Sequence, residues 1–321
     1  MTAAIDLFPG WAERRITTEG AEIAVRTGGS GPPLLLLHGY PQTHACWHKL
    51  AAELARYCTL VVADLRGYGA SSIAADTPGH TSYAKRTMAL DCLTVMRALG
   101  HARFMVGGHD RGGRVAYRLA LDHPEAIMAL LPIDILPTAE VWRRVSAESA
   151  VASYHWGFLA QPWPVPERLI GADPLFYLEH TLKSWTKSGD LSPFSAAALA
   201  QYRALVKDPR RLHAVCEDYR AGAGIDRQLD EADLTSGRKI TCPTFVVWGR
   251  HYLGRRGAQP LQVWRTWCND LSGAEIDSGH FLAEEKPDAT LAAVLPFLAA
   301  QGAAPGTAQR AGPGAAHGVK R

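Results

Sequence analysis

The residues of this chain best suited to covalent chemistry lie in one short run, Gly108-His109-Asp110-Arg111-Gly112-Gly113. An aspartate with glycine two positions away on either side sits where the backbone can turn sharply, so its carboxylate can be presented as an oxygen nucleophile. Taken alone, the run reads more readily as a glycine-rich turn whose aspartate caps a helix. A second candidate lies far along the chain, in Ser278-Gly279-His280-Phe281. A Gly-His pair in a loop suits a general base that activates water. The other histidines show neither an HExxH pattern nor paired ligand spacing, so no metal site is expected.

A nucleophile on a tight turn needs rigid elements on both sides. Residues 103–108 read as a strand running into the turn, and 112–122 as a helix leaving it, stopped by Pro124. Upstream, 15–18 and 21–27 flank Glu19-Gly20 as a hairpin, and the apolar runs 33–38 and 59–64 read as buried strands around a helix over 47–57. Met88, Cys92, Val95 and Leu99 form one stripe of a helix over 83–99 that closes at Gly100. A strand over 126–133 follows. The rhythm resumes after 241, with strands at 244–248 and 275–276 and helices at 260–268 and 287–300. Strands alternating with helices predict an α/β protein with a mostly parallel central sheet flanked by helices. Between 136 and 238 tryptophans, prolines and helical stripes replace that rhythm, which predicts an inserted helical cap. The expected division is core 1–135, cap 136–238, core 239–301, and an Ala-, Gly- and Pro-rich tail, 302–321, without a core-forming pattern and expected to be disordered.

Strand, glycine-flanked turn and helix together resemble the nucleophile elbow of α/β-hydrolases. His38-Gly39-Tyr40-Pro41, directly after a buried strand, matches the place where that superfamily supplies an oxyanion-hole donor. The backbone N–H groups of Tyr40 and Arg111 would then be the pair that holds a developing oxyanion. His38 itself is expected to be structural. Many α/β-hydrolases carry the acid of their triad after the strand that here ends at Trp248-Gly249, but Arg250-His-Tyr-Leu-Gly-Arg-Arg256 contains none. The alternative place, after the preceding sheet strand, holds Asp134. Chain order then gives Asp110 as nucleophile, Asp134 as orienter and His280 as base.

The complete run Gly-His-Asp-Arg-Gly-Gly-Arg, residues 108–114, resembles the pattern of fluoroacetate dehalogenases, and the similarity extends over roughly residues 10–300. The resemblance implies that Arg111 and Arg114 bind a substrate carboxylate; at positions i and i+3 they share one helix face, and guanidinium groups hold carboxylates by charged, bidentate bonds. It assigns His155 and Trp156, in Tyr154-His155-Trp156-Gly157-Phe158, and Tyr219, in Cys216-Glu217-Asp218-Tyr219-Arg220, to a halide pocket, and Trp185 to the pocket lining. Without it, Trp156 would read as packing; the alternative for either arginine is a salt bridge on the core surface. One departure is Tyr40, where phenylalanine is more familiar. The implied reaction is hydrolytic dehalogenation of short 2-haloacids, fluoroacetate and water giving glycolate and fluoride through an ester on Asp110, by a homodimer without cofactor. An epoxide hydrolase could share the Asp and the His, with Tyr219 and Tyr154 offered as phenols for the oxirane, but leaves Arg111 and Arg114 unexplained. A non-catalytic carboxylate receptor has no need of all three triad members, and an ester hydrolase is disfavoured because a carboxylate attacking an ester forms an anhydride.

Bulk properties narrow the field. A chain of 321 residues is long enough to bury a core and enclose a pocket. The formal charge of +3, part of it in Arg310, Lys320 and Arg321, leaves no footprint for nucleic acid, and no apolar run approaches bilayer length. The six cysteines have neither CxxC pairing nor the density of a disulfide framework, so buried thiols are expected. No basic region followed by an apolar stretch opens the chain, which predicts a cytoplasmic protein.

Overall fold

The computed structural model describes residues 5–254 and 259–305. Its frame is an eight-stranded sheet: β1 (Ala12–Thr18), β2 (Ala21–Gly29), β3 (Pro33–Leu37), β4 (Thr59–Ala63), β5 (Phe104–His109), β6 (Ile127–Ile133), β7 (Thr244–Gly249) and β8 (Leu271–Ile276). Their spatial order is β1-β2-β4-β3-β5-β6-β7-β8. β2 pairs antiparallel with β1 and β4, and all other neighbours are parallel. The all-apolar runs of β3 and β4 are buried from Leu34 and from Leu60 onward, as parallel strands covered on both faces must be. The edge strand β1 instead exposes Glu13, Arg14 and Arg15, charges that discourage pairing with another chain.

Helices His48–Leu54, Lys85–Ala98, Asp110–Asp122 and Pro287–Ala300 accompany the sheet. Asp110–Asp122 is buried at every position from 110 to 121, including Arg111, Arg114 and Arg118, so each of these cations must meet a partner inside the protein. Between β6 and β7 the chain forms helices only, from Thr138–Arg143 to Ile225–Ser236.

Of the boundaries that differ from the sequence reading, three have a clear physical cause. β8 covers six residues rather than 275–276: its Leu-Ser-Gly-Ala start shows no alternation, and Gly273 lets it lie flat against Trp248 and Leu261. The helix predicted over 260–268 stops at Trp264, because the chain bends so that the Trp267 carbonyl accepts the Ile240 N–H and Cys268 bridges Ile240. The elbow helix starts at Asp110 rather than at 112, glycines being poor helix starters on propensity alone. Of the tail, 306–321 falls outside the described residues, while Ala303 packs into the core. All six cysteines are buried thiols, and no helix among the described residues is long and apolar enough to cross a membrane.

The register fixes where a site can form. Leu37 lies beside Gly108, His109 beside Ile133, Ile133 beside Val247, and Gly249 beside Ile276. The loops that follow β3, β5, β6, β7 and β8 therefore emerge together at the carboxyl edge of the sheet, the usual place for a site in α/β folds.

Candidate active site

Asp110 follows β5 with φ of 45°, a left-handed conformation rare outside glycine. The strain is held by close packing: a Cβ on Gly112 would lie 2.3 Å from the His38 carbonyl oxygen, so the helix start abuts the end of β3. That contact brings the Tyr40 N–H to Asp110 Oδ1 at 2.9 Å. The Arg111 N–H, in the first helical turn, has no partner within the helix and points the same way as the other first-turn donors. With Oδ1 so engaged, Oδ2 is the oxygen available for attack. The side chain is nearly closed off from solvent, Asp110 being 6% exposed. Burial alone would raise its pKa, but the fields of His280, Arg114 and Arg111 outweigh burial and hold it below the ordinary carboxylate value. Asp110 is thus a buried anion.

Asp134, after β6, has φ of 54°. Its Oδ2 lies 2.5 Å from His280 Nδ1, while Oδ1 accepts the Gly249 N–H at 2.9 Å. A carboxylate on Nδ1 fixes the proton there and leaves the Nε2 lone pair on the opposite side of the ring. Sequence reasoning missed how firmly the histidine loop is tied. The His280 N–H donates to the Trp185 carbonyl at 2.8 Å. Glu285 accepts from three backbone N–H groups, Gly279 at 3.0 Å, Phe281 at 2.9 Å and Lys187 at 2.8 Å, and so joins the histidine loop to residues 185–187. A Cβ on Gly279 would stand 2.5 Å from both Trp185 O and Lys187 N, so only glycine admits this approach. His109 Nε2 lies 2.8 Å from the His280 carbonyl, and burial, with His280 nearby, pushes its pKa down to about 3. It is therefore a neutral N–H donor. The ring of His280 is boxed by Tyr252, Trp185 and His109 at centroid distances of 4.3, 5.3 and 4.4 Å.

The two arginines differ. Arg111 already holds a carboxylate: its Nε reaches both Asp218 oxygens at 3.2 Å and its Nη2 reaches Oδ1 and the Asp218 carbonyl at 2.6 Å. Asp218 in turn binds Lys85 and accepts the Tyr68 O–H at 2.9 Å, and Lys85 also faces Asp226 at 3.6 Å. Of the Arg111 nitrogens, Nη1 has no hydrogen-bond partner among the described residues. Arg114 spends Nη1 on the Leu136 carbonyl (2.8 Å) and Thr138 Oγ1 (3.3 Å), and its Nε has no partner among the described residues. Asp218 and Lys85 were not among the residues singled out from the sequence.

His155, Trp156, Tyr219 and Trp185 gather around these cations. Arg114 lies 4.4 Å from the Trp156 ring and Arg111 4.3 Å from that of Tyr219. His155 packs on Trp185 at 4.5 Å and on Tyr219 at 5.9 Å, and Tyr40 meets Tyr219 edge-on at 5.6 Å. The structure therefore brings the proposed nucleophile, base, orienter, clamp and halide-pocket residues into one buried cluster. A cavity of about 710 Å³ borders it at Trp185 and Tyr252, and another of about 400 Å³ at Trp156 and Leu136. No group of three or more His, Cys, Asp or Glu converges as metal ligands among the described residues. An anionic carboxylate, an oriented imidazole and two cations in a nearly dry site can carry out nucleophilic displacement followed by hydrolysis of the resulting ester.

Residues 32–287 match the family model described as alpha/beta hydrolase fold. A fluoroacetate dehalogenase from Burkholderia sp is 41% identical over 91% of this chain and 95% of its own length. A soluble epoxide hydrolase from Corynebacterium sp. (strain C12) is 30% identical over 85% of this chain and 92% of its own. Among solved structures, a Pseudomonas aeruginosa protein provisionally described as an epoxide hydrolase superimposes with TM-score 0.86 at 45% identity, covering 92% of this chain and 98% of that one. On fold, motif and likeness together, the chain belongs to the α/β-hydrolases and, within them, to the haloacetate dehalogenase family that its elbow resembles.

Proposed function

We propose that the protein hydrolyses the carbon–halogen bond of short 2-haloacids, fluoroacetate among them. The observation that carries this reading is a buried carboxylate set beside two arginines that each keep a nitrogen without a partner among the described residues. The substrate carboxylate binds Arg111 Nη1 and Arg114, which places its α-carbon before Asp110. Oδ2 attacks that carbon from behind the halogen: the new C–O bond forms as the C–X bond breaks, configuration inverts, and halide departs towards His155, Trp156 and Tyr219. Neutral N–H and O–H donors suit this task because their bonds strengthen as charge develops on a poor leaving group such as fluoride. His280 Nε2 then takes a proton from water, whose oxygen attacks Cγ of the Asp110 ester. The oxyanion forms on Oδ1, where the Tyr40 N–H already sits. Collapse releases the 2-hydroxyacid, whose new hydroxyl takes the proton held by His280, and the second water proton leaves to solvent as the Asp110 carboxylate is restored. The helices between 138 and 236 serve as a cap that keeps bulk water from the site. Likeness to the 41%-identical dehalogenase supports the choice of substrate. The reading extends to a homodimer, expected from the family resemblance; Trp163, Leu169 and Phe176 are exposed apolar side chains.

The test is to assay free fluoride from purified protein with fluoroacetate, and to weigh a His280→Asn variant after the same incubation. Fluoride release with a glycolyl ester retained on Asp110 of the variant is the expected result. Absence of both, with fluoroacetate and chloroacetate alike, would overturn the assignment.

A further inference from the structure

Two features of the site have different chemical uses. The arginines recognise a carboxylate, whereas Tyr219 offers something halide does not need, a transferable proton. Its O–H is buried, Tyr219 being 1% exposed, and has no protein hydrogen-bond partner among the described residues. Halide leaves as a stable anion and needs only donors. An oxygen leaving group departs as an alkoxide, whose conjugate acid is far weaker than a phenol, so a phenol beside it gives up its proton.

We infer that the same site also opens oxiranes that carry a carboxylate on a ring carbon, the 2,3-epoxy acids. Such a substrate keeps the carboxylate, the α-carbon and an electronegative leaving atom in the relative places they have in a 2-haloacid. With its carboxylate on Arg111 and Arg114, the oxirane oxygen occupies the halide position facing Tyr219. Asp110 Oδ2 forms a bond to C2 as the C2–O bond breaks. The oxygen, still attached to C3, takes the Tyr219 proton, leaving a phenolate whose ring lies 4.3 Å from the Arg111 guanidinium. His280-activated water then cleaves the Asp110 ester to a 2,3-dihydroxy acid, and Tyr219 recovers a proton from the water that was consumed. Atoms balance as epoxide plus water giving diol, without any co-reactant. Burial and the Asp110 charge raise the Tyr219 pKa well above that of a free phenol, so the proton is in place at any working pH. A second phenol, Tyr40, packs edge-on against Tyr219 and also has a buried O–H without a partner among the described residues. Tyr154, the other phenol considered from the sequence, is 42% exposed and is not needed.

The inference rests on the Asp110 and His280 reading above, and the experiment separates the two. Purified protein is given oxirane-2-carboxylate, the uncharged analogue glycidol, and chloroacetate in parallel, with Asp110→Asn as the blank, and glycerate, glycerol and chloride are measured. Glycerate formation at least about a hundredfold faster than glycerol formation is expected, because the arginine pair loses its anion with glycidol. Tyr219→Phe should lower both anionic reactions, but the epoxide reaction by about 10² to 10⁴, and by at least about tenfold more than dechlorination. Chloride release without glycerate overturns this inference and leaves the haloacid reading standing. Release of neither product overturns the reading of the site. Equal losses of both reactions in Tyr219→Phe overturn the proton-donor role.

Discussion

Replacing Asp218 by asparagine isolates the least expected element of the site. The side chain keeps its size and one acceptor oxygen, but Arg111 and Lys85 lose the charge between them. Asp218 and Arg111 are 0% exposed and Lys85 is 2% exposed, so water cannot replace what is removed. Breaking a buried ion pair from one side costs about 3–5 kcal/mol, a large share of the roughly 5–15 kcal/mol that holds a domain together. With a urea m-value of roughly 3 kcal/mol/M, the unfolding midpoint should fall by about 1–1.7 M. Lys85 already has a pKa lowered by burial and by Arg111, and loses its main opposing charge. The variant's folded state then refuses a proton that its unfolded state binds, so stability should recover as pH rises towards the ordinary lysine value. The KM for haloacid should rise about tenfold or more as Arg111 Nη1 loses its aim, and adding Lys85→Met should restore most of the stability. A midpoint within about 0.3 M of wild type together with an unchanged KM would refute the claim that Asp218 holds Arg111 in place.

Other outcomes can be checked more briefly. Asp134→Asn should slow ester hydrolysis by about 10³–10⁴ by presenting the wrong tautomer of His280, with the Asp110 ester accumulating in the mass spectrum and halide appearing as a single burst. Glu285→Ala should release the histidine loop and lower steady-state kcat about 10- to 100-fold while leaving the halide burst intact; loss of the burst as well would mean that Glu285 only supports folding. Burial raises the pKa of Glu284 to about 8, against the opposing effects of Tyr202, Lys49 and Gln42. The proton bound in the folded state stabilises fully below the unfolded value of about 4.3, and this contribution is lost as pH rises through 8, at most about 5 kcal/mol. Glu284→Gln should therefore leave the urea midpoint nearly unchanged at about pH 4 and raise it at about pH 9, and a uniform shift at both would contradict the raised pKa.

The inner strands were legible because β3, β4, β6 and β7 are short, mostly apolar runs, and the elbow because only small residues permit its turn. Asp134 was proposed by elimination, through the absence of acid in 250–256; in the structure its Oδ2 lies 2.5 Å from His280 Nδ1. Asp218 escaped attention although a signal existed: it shares a helical stripe with Leu212, Val215, Tyr219 and Gly222, all of them inward or half-inward facing, and a charge on such a stripe demands a partner. Glu285 left no comparable trace. Its three bonds are to backbone N–H groups, which any sequence supplies, and two of them lie in a loop whose path is set only once residues 185–187 are packed beside it. Tyr252 was likewise read only for the acid its loop lacks, although its ring packs at 4.3 Å on that of His280.

Charge explains why such supports are built around so small a reaction. Asp110, Asp218 and Asp226 stand against Arg111, Arg114 and Lys85, a cluster formally neutral before substrate enters. Under the proposed mechanism a haloacid adds one negative charge, and the displacement then moves the charge of Asp110 onto the halide without altering the total. A buried centre can carry out that transfer cheaply because no ion crosses a dielectric boundary while bonds change. Hydrolysis differs, since it restores the carboxylate of Asp110 while product carboxylate still occupies the arginines. If halide remained in its pocket, three anions would then face two available cations, Arg111 and Arg114, one of them already shared with Asp218. Halide departure must therefore precede or accompany ester cleavage, and the same repulsion that requires this order expels the 2-hydroxyacid once Asp110 is again an anion.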